Sequence, residues 1–321
     1  MKTDLNISTE NNLTDEAYLQ KLNSFYLSGG GGFINGVNEV NIFYKFFLQP
    51  GVSEKSIVIS NGRSESVIKY KELIWDLFNN GYSVFAIDHR GQGFSDRLIK
   101  EKPQLGYVES FENYVTDLKS FYDEIVKANS QKNIFLLAHS MGGAIGLRYL
   151  EKFPDDFAAA GFTSPMLGIP FPNCILIRFI FGKDSEFAKG ETDYDSANKE
   201  FENNQVTNSK IRYELALREF ENNPSAKLGG AGYRWVKEAC KANRYIFREA
   251  SEIKTPLLLL QGTDEMIVDP KAHKKFINIL RKKNKEFENV VFNGARHELL
   301  FEKDEFRIPA LTKILEFFDL F

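Results

Sequence analysis

The chain has few cysteines, no basic excess and no long apolar run, and each absence excludes a class of protein. Cys174 and Cys240 are the only cysteines in 321 residues. They are too few for a disulfide framework and do not form a zinc motif, so a reducing compartment is expected. A net charge of -3 argues against a nucleic-acid partner. No stretch could span a bilayer, and the polar N-terminus lacks the apolar core of a signal peptide. We therefore expect a soluble, cytoplasmic globular protein.

Short apolar segments alternate with amphipathic ones along most of the chain. Strands buried on both faces read as short apolar runs, whereas helices that cover a sheet carry one apolar face. The alternation therefore predicts a mainly parallel sheet flanked by helices. Predicted strands lie at 41–48, 56–60, 82–88, 133–138, 157–165, 256–262 and 289–294. Predicted helices lie at 66–81, 111–129, 271–283 and 306–321, with another after Ser140.

One interval, residues 167–253, breaks this alternation, because it shows helical periodicity and no clear strand. We predict a helical cap there, inserted into a core formed by 33–166 and 254–321. A separate second domain is disfavoured because the strand-helix pattern resumes after the interval. In the cap, residues 171–181 contain nine apolar residues of eleven, which suits an acyl channel, a bilayer interface or packing on the core. Residues 1–32 form a polar extension, whose four glycines at 29–32 read as a flexible connection.

The segment LLAHSMGGAIGL places Ser140 where a predicted strand becomes a predicted helix. A sharp turn that carries a nucleophile needs small residues two positions before and after it, and these are Ala138 and Gly142. Glycine is usual at both positions, so Ala138 departs from the pattern by one methyl group. The helix N-terminus would direct N–H groups at developing negative charge. The alternative is an ordinary strand-helix junction with Ser140 as the helix N-cap.

A serine nucleophile needs a histidine base, and the chain contains four histidines. His297 follows the last predicted strand, where the base belongs when the chain order is serine, acid, histidine. His139 adjoins the serine, so its side chain is expected to point away from the nucleophile. His89 follows a strand, and His273 lies in a lysine-rich helix and is expected to be solvated. His297 is therefore the predicted base.

The acid that orients the base should follow the preceding strand, in the segment LLLLQGTDEMIVD. Asp264, Glu265 and Asp269 all qualify by chemistry, because a carboxylate there would hold the imidazole in the right tautomer. Asp269 stands directly before Pro270 and suits the cap of the next helix. From the residues alone, the choice of acid stays open.

An oxyanion hole requires two backbone N–H groups near the serine. One should come from Met141, the residue after the nucleophile. The second should come from the loop SNGRSES after an earlier strand, where Arg63 is the predicted donor. Gly62 would allow the chain to turn before that donor.

Six segments, in order from residue 33 to the C-terminus, resemble the α/β-hydrolase superfamily in its branch of bacterial lysophospholipases and monoacylglycerol lipases. They are GRSESVIKYKELIWDLF, IDHRGQGFSDRL, LLAHSMGGAI, TSPMLGI, GGAGYRWVKEA and FNGARHELLFEKD. The resemblance implies an α/β-hydrolase fold with Ser140 as nucleophile and His297 as base. In this branch the acid lies three positions after the glycine that ends its strand. The resemblance therefore implies Glu265 as the acid, with Asp264 as the alternative.

Other features of the branch bear on the neighbouring loops. Its members often have His-Gly before the oxyanion donor, whereas this chain has Asn61-Gly62, which keeps the backbone donor. The loop DHRGQG is structural in the branch, so the resemblance implies no catalytic role for Asp88 or His89. No metal and no cofactor are expected.

The resulting hypothesis is a serine ester hydrolase for single-chain lipids, first a lysophospholipase, acting through an acyl-enzyme. The expected partners are a lysophospholipid or monoacylglycerol substrate and, at the periphery, the inner-membrane surface. Alternatives are a monoacylglycerol lipase, a small-ester hydrolase or peptidase of the same fold, and a noncatalytic binding protein. Acyl transfer to another lipid would use the same intermediate. The sequence leaves the head group, the chain length and the oligomeric state open.

Overall fold

The computed structural model describes residues 5–51, 54–130, 132–169, 182–196, 199–283 and 287–321. Its strands are β1 (Gly30–Asn35), β2 (Asn41–Phe47), β3 (Lys55–Ser60), β4 (Ser83–Ile87), β5 (Asn133–His139), β6 (Ala159–Thr163), β7 (Leu257–Gly262) and β8 (Phe287–Phe292). Its helices are α1 (Glu16–Ser28), α2 (Lys71–Asn79), α3 (Phe111–Phe121), α4 (Lys127–Asn129), α5 (Met141–Lys152), α6 (Lys210–Asn222), α7 (Tyr233–Glu249), α8 (Pro270–Lys283) and α9 (Asp304–Phe318).

The strands form one sheet in the order β1-β2-β4-β3-β5-β6-β7-β8. The pairs β1/β2 and β2/β4 are antiparallel, and every later pair is parallel. The predicted mainly parallel sheet is therefore confirmed. Parallel strands end at the same edge of the sheet, so the loops after β3, β5, β6, β7 and β8 meet there. This edge brings together segments that are far apart in the sequence.

Side chains of β5 alternate between two apolar cores, one on each face of the sheet. Leu136 and Ala138 belong to the core formed with α3, α5 and α7. Phe135 and Leu137 belong to the core formed with α2 and α9. This arrangement explains why β5 reads as a continuous apolar run, because both of its faces are covered.

The glycine run, interpreted from the sequence as a flexible connection, instead begins edge strand β1, and that interpretation was wrong. Gly30 pairs with Phe46, and Gly32 pairs with Tyr44 of β2. A Cβ added at Gly30 would lie 2.3 Å from the Phe46 ring, and one at Gly31 would lie 2.6 Å from the Tyr44 carbonyl oxygen. The glycines therefore leave room for the side chains and backbone of β2 to pack against this edge.

Between β6 and β7 the described residues form α6 and α7 and contain no β-strand. The apolar stretch 171–181 lies outside the described residues. Cys240 on α7 is disulfide-bonded, and this does not support the reducing compartment expected from the sequence. Cys174 lies outside the described residues. Among the described parts of the chain, no helix is long and apolar enough to cross a membrane.

The N-terminal segment is held against α2 and α9 by a buried arginine, Arg307. Its Nη2 donates to Asp76 Oδ2 at 2.7 Å, and its Nη1 donates to the Ser8 carbonyl at 3.1 Å. The Ser8 amide in turn donates to Asp76 Oδ1 at 3.0 Å. Arg307 and Asp76 are 0% and 1% exposed. Arg307 also lies 3.3 Å from Glu72 Oε1, whereas Asp76 forms no other ion pair among the described residues, so its charge depends on Arg307.

We expect Arg307→Met to lower the free energy of unfolding by about 3–5 kcal/mol, because it leaves the buried Asp76 carboxylate without its cation. Lys313→Met on the same helix is the matched control. The Lys313 and Glu288 side chains are 34% and 41% exposed, so loss of their ion pair should cost about 1 kcal/mol or less. Urea unfolding measures both, and similar losses in the two variants would contradict this assignment.

Candidate active site

Ser140 occupies a strained turn between β5 and α5. Its backbone has φ 52° and ψ −116°, a conformation rare for residues other than glycine. The Ser140 amide donates to the Thr163 carbonyl at 3.1 Å, and the Met166 amide donates to the Ser140 carbonyl at 2.8 Å. A Cβ added at Gly142 would lie 2.1 Å from the Ser60 carbonyl oxygen, so the position two residues after the serine must be glycine.

The Ser140 side chain makes no helix-capping hydrogen bond and is directed toward His297 instead. Ser140 Oγ lies 2.9 Å from His297 Nε2, and His297 Nδ1 lies 2.7 Å from Glu265 Oε2. All three side chains are buried. With Nδ1 protonated and donating to Glu265, His297 Nε2 can accept the serine proton. The three residues selected from the sequence thus form one hydrogen-bonded chain.

The Glu265 carboxylate sits in a pocket that favours its charged form. Burial alone would raise its pKa, but the hydrogen bond and charge of His297 and two backbone donors lower the pKa to about 2. The donors are the amides of Ile267 at 2.7 Å and Val268 at 3.1 Å from Oε1. Asp264, the alternative acid, is exposed and accepts from the Thr263 hydroxyl. The geometry therefore favours Glu265 over Asp264.

Asp269, the third carboxylate of that loop, lies at the start of α8. Its Oδ1 accepts from the Lys271 amide at 2.9 Å, and its carbonyl accepts from the amide of His273. These contacts are those of a helix N-cap.

The loop that carries Arg63 lies beside Ser140, because β3 and β5 are neighbouring parallel strands with Ser60 opposite Ala138. Among the described residues, none accepts a hydrogen bond from the backbone N–H of Arg63 or Met141. Both amides are thus available for an oxyanion, as the prediction requires. In this loop the residue with positive φ is Ser64, at 59°, and not Gly62.

Gly62 is required by crowding rather than by the turn. A Cβ there would lie 2.8 Å from Glu65 Oε2 and 3.1 Å from the His139 ring. The fully buried carboxylate of Asp88 holds this loop in place through hydrogen bonds. Asp88 accepts from the Asn61 side chain at 3.0 Å and from the Val67 amide at 2.7 Å. Burial raises the pKa of Asp88 to about 6, although these hydrogen bonds oppose the shift.

The other three histidines are also buried. His89 pairs with the Ser60 hydroxyl at 2.9 Å. His273 was expected to be solvated, and this was wrong: its Nε2 donates to the Pro165 carbonyl at 2.6 Å. His139, expected to point away from the nucleophile, nevertheless lines the same cavity, with its ring centroid 4.8 Å from that of His297. Burial lowers the pKa of His139 to about 4, which keeps it neutral near pH 7.

A buried ion network beside His297 was missed by the sequence analysis. Lys69 Nζ lies 2.5 Å from Glu65 Oε1 and 2.7 Å from Glu298 Oε1. Carboxylate and ring atoms of Glu65, His139 and Glu298 lie within 4.8 Å of one another, a grouping that could hold a metal ion. The Lys69 ammonium already supplies the positive charge between the two carboxylates. The sequence feature that could have indicated this network is the spacing of four residues between Glu65 and Lys69, which suits an ion pair.

Ser140 opens into a cavity of about 270 Å³. Apolar side chains form much of its wall, among them Met166, Trp235 and Val268. Residues of the interval 167–253 contribute to this wall: Ile169, Ala188, Glu191, Val206, Ala231, Trp235 and Val236. The cavity therefore offers a largely apolar space next to the Ser140 hydroxyl and the His297 imidazole.

Comparison with known proteins gives consistent results. The family described as "Serine aminopeptidase, S33" matches residues 51–304. Lysophospholipase L2 of Escherichia coli strain K12 is 35% identical over 296 residues, which cover 88% of this chain and 86% of that protein. Human monoglyceride lipase is 23% identical and covers 82% of each chain.

Solved structures show the same fold. The monoacylglycerol lipase of Paleococcus ferrophilus superposes with a TM-score of 0.67 at 22% identity, covering 87% of this chain and 98% of that one. A soluble variant of Saccharomyces cerevisiae monoglyceride lipase gives the same TM-score at 20% identity, covering 91% and 96%. The predicted α/β-hydrolase fold is therefore confirmed.

We expect Glu265→Gln to reduce kcat for a soluble nitrophenyl ester by several powers of ten. Neutralising the orienting acid leaves the base in the wrong tautomer, which costs about ten-thousandfold in the serine-protease example. Asp264→Asn is the matched control and should lose about tenfold or less, since its carboxylate is exposed. A dead Asp264→Asn with an active Glu265→Gln would reassign the acid.

Proposed function

Since this chain belongs to the serine aminopeptidase S33 family of α/β-hydrolases, we propose that it is a serine ester hydrolase that acts as a lysophospholipase. The observation that carries the proposal is the hydrogen-bonded chain from Ser140 through His297 to Glu265, with distances of 2.9 and 2.7 Å. Such a chain activates a serine for attack on an acyl carbonyl.

In the proposed mechanism, Ser140 Oγ attacks the ester carbonyl of a single-chain lipid while His297 Nε2 takes its proton. The backbone amides of Met141 and Arg63 stabilise the oxyanion. Glu265 keeps His297 oriented and stabilises the imidazolium. His297 then protonates the leaving glycerol oxygen, which releases the alcohol and leaves an acyl-enzyme. Water, deprotonated by His297, hydrolyses that ester and regenerates the serine.

The substrate class rests on the relatives. Identity is 35% to a lysophospholipase over 88% of the chain, and 23–24% to mammalian monoglyceride lipases. A lysophospholipid and a monoacylglycerol share one acyl chain and a glycerol leaving group, so one site can accept both. We propose lysophospholipid as the preferred substrate and monoacylglycerol as the second.

We further propose that residues 167–253 form a cap over the acyl-binding cavity. Its described residues Ala188, Val206 and Trp235 line the cavity that contains Ser140, which supports this role. An apolar wall supplied by the cap favours a long acyl chain over a short polar ester. The apolar stretch 171–181 belongs to the same segment.

We expect Ser140→Ala to abolish lipid hydrolysis, with a loss on the order of a millionfold, and to leave the fold intact. A fluorophosphonate probe should label the wild type and spare the variant. Turnover should be measured on lysophosphatidylethanolamine, lysophosphatidylcholine, monoacylglycerol, a short nitrophenyl ester and an aminoacyl nitroanilide. Residual activity of a few per cent in the variant would remove Ser140 as nucleophile. Wild-type turnover of the nitroanilide without lipid turnover would indicate a peptidase instead.

Peripheral membrane contact is the remaining part of the proposal. Met266, directly after Glu265, is 62% exposed, and Ile267 beside it lines the cavity. We expect Met266→Asp to weaken cosedimentation with anionic phospholipid vesicles, because it places a charge where an apolar side chain would enter the lipid. Leu27→Asp on α1 is the control, since Leu27 is 77% exposed and does not line this cavity. Equal binding of wild type and Met266→Asp would rule out contact through this loop.

A further inference from the structure

The Arg63 side chain is half-buried, lines the cavity that contains Ser140 and forms no ion pair with a carboxylate of the described residues. Its Nη2 donates to the Gly229 carbonyl at 2.8 Å, and its buried Nε has no hydrogen-bond acceptor. Lys69, Arg90 and Arg307 each form ion pairs, whereas Arg97, like Arg63, donates to backbone carbonyls. Of these two arginines, Arg63 lines the cavity that contains Ser140. Burial lowers the pKa of Arg63, although the nearby Glu191 carboxylate opposes the shift. A guanidinium stays protonated even so, and an unpaired one is costly unless a ligand completes it.

Two cavities meet at this guanidinium. Arg63 lines the cavity that contains Ser140 and also a larger one of about 460 Å³. Glu191 and Val206 line both as well, so the two spaces adjoin. The Arg63 guanidinium lies 5.1 Å from the centroid of the Trp235 ring, which holds its plane in place. The cation therefore lines both the cavity that contains Ser140 and the larger space.

The larger cavity carries carboxylates that lack ion-pair partners among the described residues. Glu191 Oε2 accepts a hydrogen bond from the Ala231 amide at 3.0 Å. Asp193 lines the larger cavity and does not line the cavity that contains Ser140. Lys199 lies over the Tyr194 ring in the same space, at 5.3 Å from the centroid. Two exposed carboxylates therefore lie in the space next to Arg63, and Glu191 also lines the cavity that contains Ser140.

We propose that Arg63 binds the phosphate of a zwitterionic lysophospholipid, while Glu191 and Asp193 face its ammonium group. The proposal rests on the ester hydrolysis proposed above and identifies the head-group site of that reaction. In such a lipid the phosphate is attached to the glycerol that carries the ester, and the ammonium lies farther out. Arg63 and Glu191 both line the cavity that contains Ser140, whereas Asp193 lines only the larger one, so a carboxylate is available in the space that the ammonium would reach. Guanidinium is well suited to phosphate because it offers several fixed donors.

The test compares kcat/KM for three lipids with the same oleoyl chain: lysophosphatidylethanolamine, lysophosphatidylglycerol and monooleoylglycerol. Arg63→Gln should lower the value for both phospholipids by about tenfold to a hundredfold more than for monooleoylglycerol, the range expected for a charged hydrogen bond. Arg63→Lys should restore part of that difference. Glu191→Gln should lower kcat/KM for lysophosphatidylethanolamine more than for lysophosphatidylglycerol, which has no ammonium group. Arg244→Gln is the control, because Arg244 is exposed on α7 and lines neither cavity.

Equal losses on all three lipids would give Arg63 a structural role and overturn the proposal. A binding measurement separates this result from a failure of the hydrolase assignment. In the Ser140→Ala background, calorimetry with glycerophosphoethanolamine should show binding that Arg63→Gln weakens by at least about tenfold, with no such change for glycerol. Unchanged binding of glycerophosphoethanolamine would refute the phosphate site, whatever the wild-type enzyme hydrolyses.

Discussion

The turn at Ser140 is the constraint on which the rest of the site depends. A serine held at φ 52° costs about 1–3 kcal/mol unless its surroundings enforce it. Here the enforcement is close packing: a Cβ at Gly142 would lie 2.1 Å from the Ser60 carbonyl, and one at Gly143 would lie 2.6 Å from Pro165 Cβ. Helix α5 is thereby pressed against the loops after β3 and β6. That contact brings the Arg63 amide beside the serine and holds the serine side chain out of the helix.

Much of this fold could be predicted from the sequence, and the failures have physical causes. The parallel strands were recognised because burial on both faces leaves short apolar runs. Strand β1 was missed because its glycines carry no side chains, and the residues that pack on it belong to β2. The burial of His273 was missed because lysines surround it in α8. Its position on the buried face is nevertheless readable, since Phe276, Ile277 and Leu280 follow at helical spacing and are likewise buried.

For the site, the strand-turn-helix motif indicated Ser140 and chain order indicated His297, whereas chemistry alone could not separate Asp264, Glu265 and Asp269. The difference is one of backbone direction after β7. The Asp264 amide donates to the Ala295 carbonyl, and its side chain is left in solvent. Glu265 is turned inward, where the Ile267 amide lies 2.7 Å from its carboxylate. Such a choice depends on tertiary pairing between two loops, which periodicity does not encode.

The ionisable groups around His297 are either neutral or paired with an opposite charge. His139 stays neutral because burial lowers its pKa to about 4, so no second imidazolium opposes the charge that develops on His297. Lys69 lies between Glu65 and Glu298, so neither of these carboxylates is left unpaired beside the base. Glu265 is then the carboxylate that meets the imidazolium directly. The charged groups beside His297 are thus compensated within the protein, whereas the Arg63 guanidinium, which forms no ion pair among the described residues, lines the cavity that contains Ser140.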